Sequence, residues 1–192
     1  PRDALVLPEG VTELDKSKPI GCSSRRRQLQ LKKLYPDFEI QSVRGNVQTR
    51  LRKLQEGQYC ALVLAAAGLK RLGLEDRISR YFTVEEILPA AGQAILAVQA
   101  RAGTDVSPLA GFHDENAACC ALAERAFVRT LDGGCTSPVA AYACVAGDDM
   151  EITGLYVSPD ETVLRRGTTC GPKEQAEALG RGLALELKGE CP

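Results

Sequence analysis

Apolar and polar positions change rhythm along the chain, and each change marks a different kind of structure. Pro19-Ile20-Gly21 ends a short strand. Ser23-Ser24 then offers N-caps for a helix through Arg27, Leu31 and Leu34, which Tyr35-Pro36-Asp37 breaks. Residues Phe38 to Val43 alternate apolar and polar, the period of a half-buried strand. Asn46 caps a helix through Val47, Leu51 and Leu54, closed by Gly57. Tyr59 to Ala65 is a continuous apolar run, the pattern of a strand buried on both faces. Gly68 opens a short helix through Leu69 and Leu72. This β-α-β-α-β-α order predicts an α/β domain with a largely parallel sheet.

Residues 80–112 keep no such rhythm. Ile87 to Gln93 reads as a loop, Ile95 to Val98 as one more strand, and Gly103 to Pro108 as linker. Helical spacing returns from Glu115 to Leu131, with Ala118, Leu122, Ala126 and Phe127 as its apolar stripe. Asp132-Gly133-Gly134 ends that helix. Three strands follow, Val139–Val145, Glu151–Val157 and Thr162–Thr169, with turns at Gly147-Asp148-Asp149 and Pro159-Asp160, and then a helix from Lys173 to Leu187. The second unit is therefore a small α-β-β-β-α module, and the chain as a whole is α+β.

Composition narrows the class. The 192 residues carry 24 Lys and Arg against 25 Asp and Glu, and 44% are hydrophobic, which fits one full globular domain or two small ones. The near-zero net charge argues against a nucleic-acid partner. No apolar run is long enough for a membrane helix, and no signal peptide opens the chain. Eight cysteines (22, 60, 119, 120, 135, 144, 170 and 191) form no C-x-x-C pair, and His113 is the one histidine, so zinc spacing is absent. They read as reduced thiols of a cytoplasmic protein. The chain opens on Pro1 and its one methionine is Met150. It is expected to be a fragment or a processed chain, with a segment missing upstream.

Three basic loops carry candidate chemistry. Gly21-Cys22-Ser23-Ser24-Arg25-Arg26-Arg27-Gln28 joins a strand end to a helix start, where backbone N–H groups and the macrodipole favour an anion. Guanidiniums there suit carboxylate or phosphate, which they bind bidentately. A capped helix with solvated arginines reads that motif equally well. Arg44-Gly45-Asn46-Val47-Gln48-Thr49-Arg50 and Gly68-Leu69-Lys70-Arg71 fall at two further strand-to-helix junctions. In a parallel sheet all three lie outside the carboxyl ends of the strands, the usual ligand edge. Arg26, Arg27, Arg44, Arg50 and Arg71 are thus expected to converge on a cleft for a small polyanion. Cys135, in Gly133-Gly134-Cys135, is either an ordinary loop thiol or a residue that a bulky group approaches closely.

Taken together these runs resemble the porphobilinogen deaminase (hydroxymethylbilane synthase) family. The resemblance rests on Pro1-Arg2-Asp3-Ala4-Leu5, on the three basic loops, and on Leu64 to Gly73. It extends through Leu88-Pro89-Ala90-Ala91-Gly92-Gln93, Ala123-Glu124-Arg125-Ala126-Phe127 and Gly133-Gly134-Cys135, in order across nearly the whole chain. It implies a transferase of haem and porphyrin biosynthesis that joins four porphobilinogen molecules into the linear tetrapyrrole hydroxymethylbilane, with release of ammonia. It further implies a dipyrromethane cofactor attached through Cys135. Ser24, Arg26, Arg27, Arg44 and Arg50 would bind that cofactor, and Arg44, Arg50, Arg71 and Gln93 the substrate and growing polypyrrole chain. The family is mostly monomeric. Its general-acid aspartate belongs to an N-terminal domain outside this chain, and Asp3 does not match it.

The resemblance also implies a domain plan. Residues 6–90 match a periplasmic-binding-protein-like second domain and 113–192 the third, cofactor-bearing domain. Residues 1–5 and 91–112 match remnants of the first and are expected to be poorly supported. The isolated chain is accordingly expected to be inactive. Cys22, Arg25 and Ala94 stand where the family commonly has Thr, Leu and Gly. The competing readings are a non-catalytic module for a small carboxylate or phosphate, with Cys135 incidental, and an RNA-contacting domain built on Arg25-Arg26-Arg27.

Overall fold

The computed structural model of the chain describes residues 1–133 and 137–190; Gly134, Cys135, Thr136, Cys191 and Pro192 lie outside the described residues. The first sheet has five strands: β1 (Asp3–Val6), β2 (Ile20–Gly21), β3 (Ile40–Gln41), β4 (Ala61–Ala65) and β5 (Arg80–Tyr81), in the order β3-β2-β4-β1-β5. Helices α1 (Arg25–Leu34), α2 (Val47–Gln55) and α3 (Ala66–Arg71) follow β2, β3 and β4, as the pattern predicts. The Asn46 side chain accepts from the Thr49 N–H and so caps α2.

The sheet is mixed, which corrects the largely parallel sheet expected. β2 runs parallel to β3 and β4, but β1 runs antiparallel to both β4 and β5. Hydrophobic rhythm fixes direction only for strands joined by crossover helices, and β1 has no helix before it. The domain boundary expected after residue 5 falls inside β1. Far from being poorly supported, that strand is buried along its whole length between β4 and β5. Ala4 and Val6 pack with Leu51, Leu54, Leu62 and Leu69 on one face. Leu5 and Leu7 pack with Ile20, Leu31, Val63 and Phe82 on the other. The sheet therefore has a core on each face, as β4's unbroken apolar run implies.

Residues 95–98 form no strand. Leu96 and Val98 are 77% and 70% exposed, and among the described residues no neighbouring strand supplies a hydrogen-bond ladder for them. A 3-10 helix spans Ser107–Phe112.

The second unit follows its expected order closely. Helix α4 (Glu115–Thr130) leads into β6 (Ala140–Ala146), β7 (Asp149–Val157) and β8 (Leu164–Pro172), an antiparallel sheet in the order β6-β7-β8, and α5 (Ala176–Lys188) follows. Alternation along the strands sends Ala141, Ala143, Met150 and Ile152 toward Phe127 of α4 and Leu183 and Leu187 of α5. Ala140, Leu155 and Val157 point the other way, against Leu88 and Leu29 of the first unit. The two helices approach closely: a Cβ on Gly180 would lie 2.1 Å from the Ala123 carbonyl oxygen.

Candidate functional site

The centre of the first basic loop is a buried charge cluster. Arg26 is 3% exposed and Asp3 fully buried. Both terminal nitrogens of Arg26 donate to Asp3 Oδ2 at 3.0 Å, and Nη1 also donates to the Leu88 carbonyl at 2.5 Å. Arg27 Nη2 donates to Asp3 Oδ1 at 2.7 Å. Gln93 closes the cluster, its amide donating to Asp3 Oδ1 at 2.9 Å while its oxygen accepts from both arginines at 3.3 Å. Burial pushes the Arg26 guanidinium below its ordinary range, and the adjacent Asp3 carboxylate opposes that shift.

One donor of this cluster is left over. Arg27 Nε is buried and has no hydrogen-bond partner among the described residues. A buried donor without an acceptor is costly, so the site is short of one acceptor oxygen. Ser24, the residue before α1, makes no side-chain capping bond, so its hydroxyl leaves the first-turn amides of α1 unfilled.

The remaining predicted arginines do not join this cluster. Arg50 lies one loop away, its Nε donating to the Gly45 carbonyl at 2.8 Å. Arg44 and Arg71 are exposed. They follow β3 and β4 at the same edge as α1's start, because those strands run parallel to β2. The structure thus brings Arg26, Arg27 and Gln93 into contact and spreads Arg44, Arg50 and Arg71 along the sheet edge.

A cavity of about 480 Å³ opens between the two units. Ser24, Arg26, Ala90 and Ala91 line one side, and Arg125, Val128, Gly133, Ser137 and Val139 the other. Gly133 and Ser137 bracket residues 134–136, so Cys135, the predicted attachment point, lies outside the described residues but within a segment whose described ends line this cavity. The end of α4 closes just before that segment. Asp132 takes φ +52°, its N–H bonds the Arg129 carbonyl, and the Gly133 N–H bonds the Val128 carbonyl. This is a Schellman closure. A Cβ on Gly133 would lie 2.9 Å from Val128 and from Val139, so only glycine fits there.

Polar contacts fix the two sides of the cavity. Glu124 is 4% exposed; its carboxylate accepts from the Gly92 N–H at 2.6 Å and the Ala143 N–H at 2.8 Å. Arg166 of β8 donates to the carbonyls of Glu85 and Val84 at 2.6 and 3.1 Å. Arg25 pairs with Glu161 through two bonds, one of them Nε to Oε1 at 2.6 Å.

Four of the described thiols are made poorer nucleophiles by burial. Burial pushes Cys22, Cys60 and Cys144 above their ordinary range and Cys120 up to about 11. Sequence reasoning missed Asp3, Glu124 and Arg125 as site residues. The first two had a readable signal, a carboxylate inside an otherwise apolar run: Ala4-Leu5-Val6-Leu7 after Asp3, and Ala123, Ala126 and Phe127 around Glu124.

A family model described as porphobilinogen deaminase, dipyromethane cofactor binding domain, matches residues 1–107, more than half of the chain. The chain belongs to the porphobilinogen deaminase family. The model of that family's C-terminal domain matches residues 118–189. The porphobilinogen deaminase of Alkaliphilus oremlandii is 56% identical over 190 residues, covering 99% of this chain and 64% of the relative. That of Acetivibrio thermocellus is 52% identical over 98% of this chain and 65% of the relative. That of Syntrophotalea carbinolica is 47% identical over 97% and 61%. The chain therefore spans somewhat under two thirds of the length of these porphobilinogen deaminases. A dipyrromethane carries several carboxylates, and the residues present fit such a group. Among the described residues the Arg27 Nε donor lacks an acceptor and no side chain caps α1, and the cavity lined by Gly133 and Ser137 has both polar and apolar walls.

Proposed function

We propose that this chain supplies the cofactor-holding and polypyrrole-binding surfaces of a hydroxymethylbilane synthase. That enzyme joins four porphobilinogen molecules into hydroxymethylbilane with loss of ammonia. The observation that carries the reading is the cavity. It places Ser24 and Arg26 across from Gly133 and Ser137, the described neighbours of the Cys135 segment. When bound, the dipyrromethane supplies the nucleophilic pyrrole carbon that primes chain growth. The chain's own residues bind and orient. Cys135 forms the thioether. Ser24 and the α1 amides receive a carboxylate, and Arg27 Nε donates to another. Arg26 is already neutralised by Asp3, so its role is to fix Arg27 and Gln93 in place. Arg44, Arg50 and Arg71 bind the acetate and propionate groups of incoming pyrroles along the sheet edge. Residues 6–90 act as the family's second domain and 113–192 as its third. Residues 1–5 and 91–112 are the portions shared with its first domain. The cysteines read as reduced thiols, and we place the protein in the cytoplasm as a monomer.

The test is intact mass and peptide mapping of this chain combined with the N-terminal third of a porphobilinogen deaminase, after exposure to porphobilinogen. The expected result is added mass equal to a dipyrromethane on the Cys135 peptide, lost in Cys135→Ser. An unmodified Cys135, or an adduct on another cysteine, would overturn the assignment. Pyrrole binding that survives Cys135→Ser with no adduct anywhere would favour a non-catalytic carboxylate module.

A further inference from the structure

A pair of opposite charges joins the two units beside the cavity. Arg25 opens α1, between Ser24 and Arg26, which both line that cavity. Its guanidinium holds Glu161 of the C-terminal unit in a fork, Nε to Oε1 at 2.6 Å and Nη2 to Oε2. Both partners are aimed from their own side. The Gln28 side chain accepts from Arg25 Nη1 at 3.4 Å and donates to the Cys22 carbonyl at 2.7 Å. Glu161 stands at the tip of the β7–β8 hairpin in the left-handed region, at φ +60°. There its N–H bonds the Ser158 carbonyl at 2.8 Å, and Asp160 accepts from the Ser158 and Thr162 hydroxyls at 2.5 and 2.8 Å. A residue other than glycine keeps that backbone conformation only where its surroundings hold it. Strand register sets the tip near the cavity: Val157 pairs with Leu164 beyond the point where Ala140 meets Leu155, at the end of the sheet that Ser137 and Val139 lead into.

The other joints between the units are of a different kind. Leu88 is buried against Ala140, Leu155 and Val157, buried Glu124 accepts from the Gly92 N–H, and Arg166 donates to neutral carbonyls. The Arg25 and Glu161 side chains are 40% and 29% exposed, so solvent ions reach them. We infer that Arg25 and Glu161 form an electrostatic clasp between the two units, which holds the β7–β8 hairpin tip against the head of α1 beside the cavity and which ionic strength releases. The inference does not depend on what the cavity binds. Screening the pair frees the hairpin tip, while the buried Leu88 contacts keep the units attached. Lys32 of α1 adds attraction toward Glu161 from a second direction, outside the fork.

The experiment is nuclear magnetic resonance of the full 192-residue chain, reading exchange of the Arg25 Nε–H with water and the order parameters of the 159–162 amides. The Ala143 N–H, bonded within the C-terminal unit, checks that each variant is folded. In the wild type the tip amides should have order parameters of about 0.85 at low salt and about 0.6 or less at high salt. Over the same range, about 0.01 to about 1 M, the Arg25 Nε–H should exchange at least about threefold faster, the scale of a partly exposed ion pair. Arg25→Gln, a change in the other unit, should leave the tip mobile at every salt concentration, and Glu161→Gln should do the same. Joining Arg25→Glu with Glu161→Arg should restore a rigid tip that salt loosens. A tip equally rigid in the wild type and in Arg25→Gln overturns the inference. So does a wild-type tip that stays rigid at high salt, a result that needs no variant to fold.

Discussion

Asp3 is the residue on which the charge cluster turns. Its carboxylate is fully buried and answers two guanidiniums at 2.7 to 3.0 Å. Removing one partner of a buried pair leaves the other desolvated and uncompensated, at a cost of about 3–5 kcal/mol. Asp3→Asn is therefore expected to destabilise the chain on that scale, read as a lower urea midpoint. A loss well below 1 kcal/mol would mean that water already screens the pair. The arginines of this cluster were legible in the sequence as a basic loop at a helix start. Their neutralisation was not, because it depends on a residue more than twenty positions earlier, brought beside them by strand pairing. Arg27 Nε shows the same limit: an unfilled donor is a property of packing, and no residue pattern announces it.

Elements whose partners are close in sequence were the most legible. Helix α4, strands β6 to β8 and helix α5 fall within a few residues of the boundaries read from periodicity. Each apolar stripe there faces a neighbour along the chain. The direction of β1 and the absence of a strand at residues 95–98 were not legible, because both depend on which distant strand lies alongside. Contact between α4 and α5 supplies a matched pair of tests. Gly180 faces the Ala123 carbonyl, and an added Cβ has no room, whereas Gly182 has nothing within 4 Å of its Cβ direction. Gly180→Ala is expected to force the helices apart and cost about 1–3 kcal/mol. Gly182→Ala should stabilise by about 0.5–1 kcal/mol through helix propensity. Denaturant unfolding of both variants checks the contrast; equal effects would mean that the helices slide freely.

At the scale of the whole molecule, Glu124 ties the loop before Gln93 to the C-terminal sheet. Burial raises its carboxyl above the ordinary value of 4.5, and the Gly92 and Ala143 N–H groups pull it back. An acid raised on folding contributes stability that is full below its unfolded value and lost as pH rises through the folded one. Relative to Glu124→Gln, the wild type should therefore lose stability as pH climbs from below 4.5 toward neutrality. Urea midpoints of both proteins at about pH 4 and about pH 7 measure the difference, and an unchanged difference would mean that the carboxyl titrates normally. The lost second acceptor in the Gln variant shifts its stability by an amount that does not depend on pH.

Strand β1 has a consequence for the order in which the molecule assembles. Its partners are remote, Asp3 opposite Ala65 and Ala4 opposite Tyr81, whereas β6, β7 and β8 join through successive hairpins. Loop-closure entropy must be met before remote pairs give anything back, so the C-terminal sheet forms along the easier route and the first sheet closes late. Asp3 rides on the strand that closes it. Until β1 docks, Arg26 and Arg27 are a bare pair of like charges at the head of α1, available to any passing anion. The positive charge at the head of α1 is therefore reduced only when β1 docks and brings the Asp3 carboxylate beside Arg26 and Arg27.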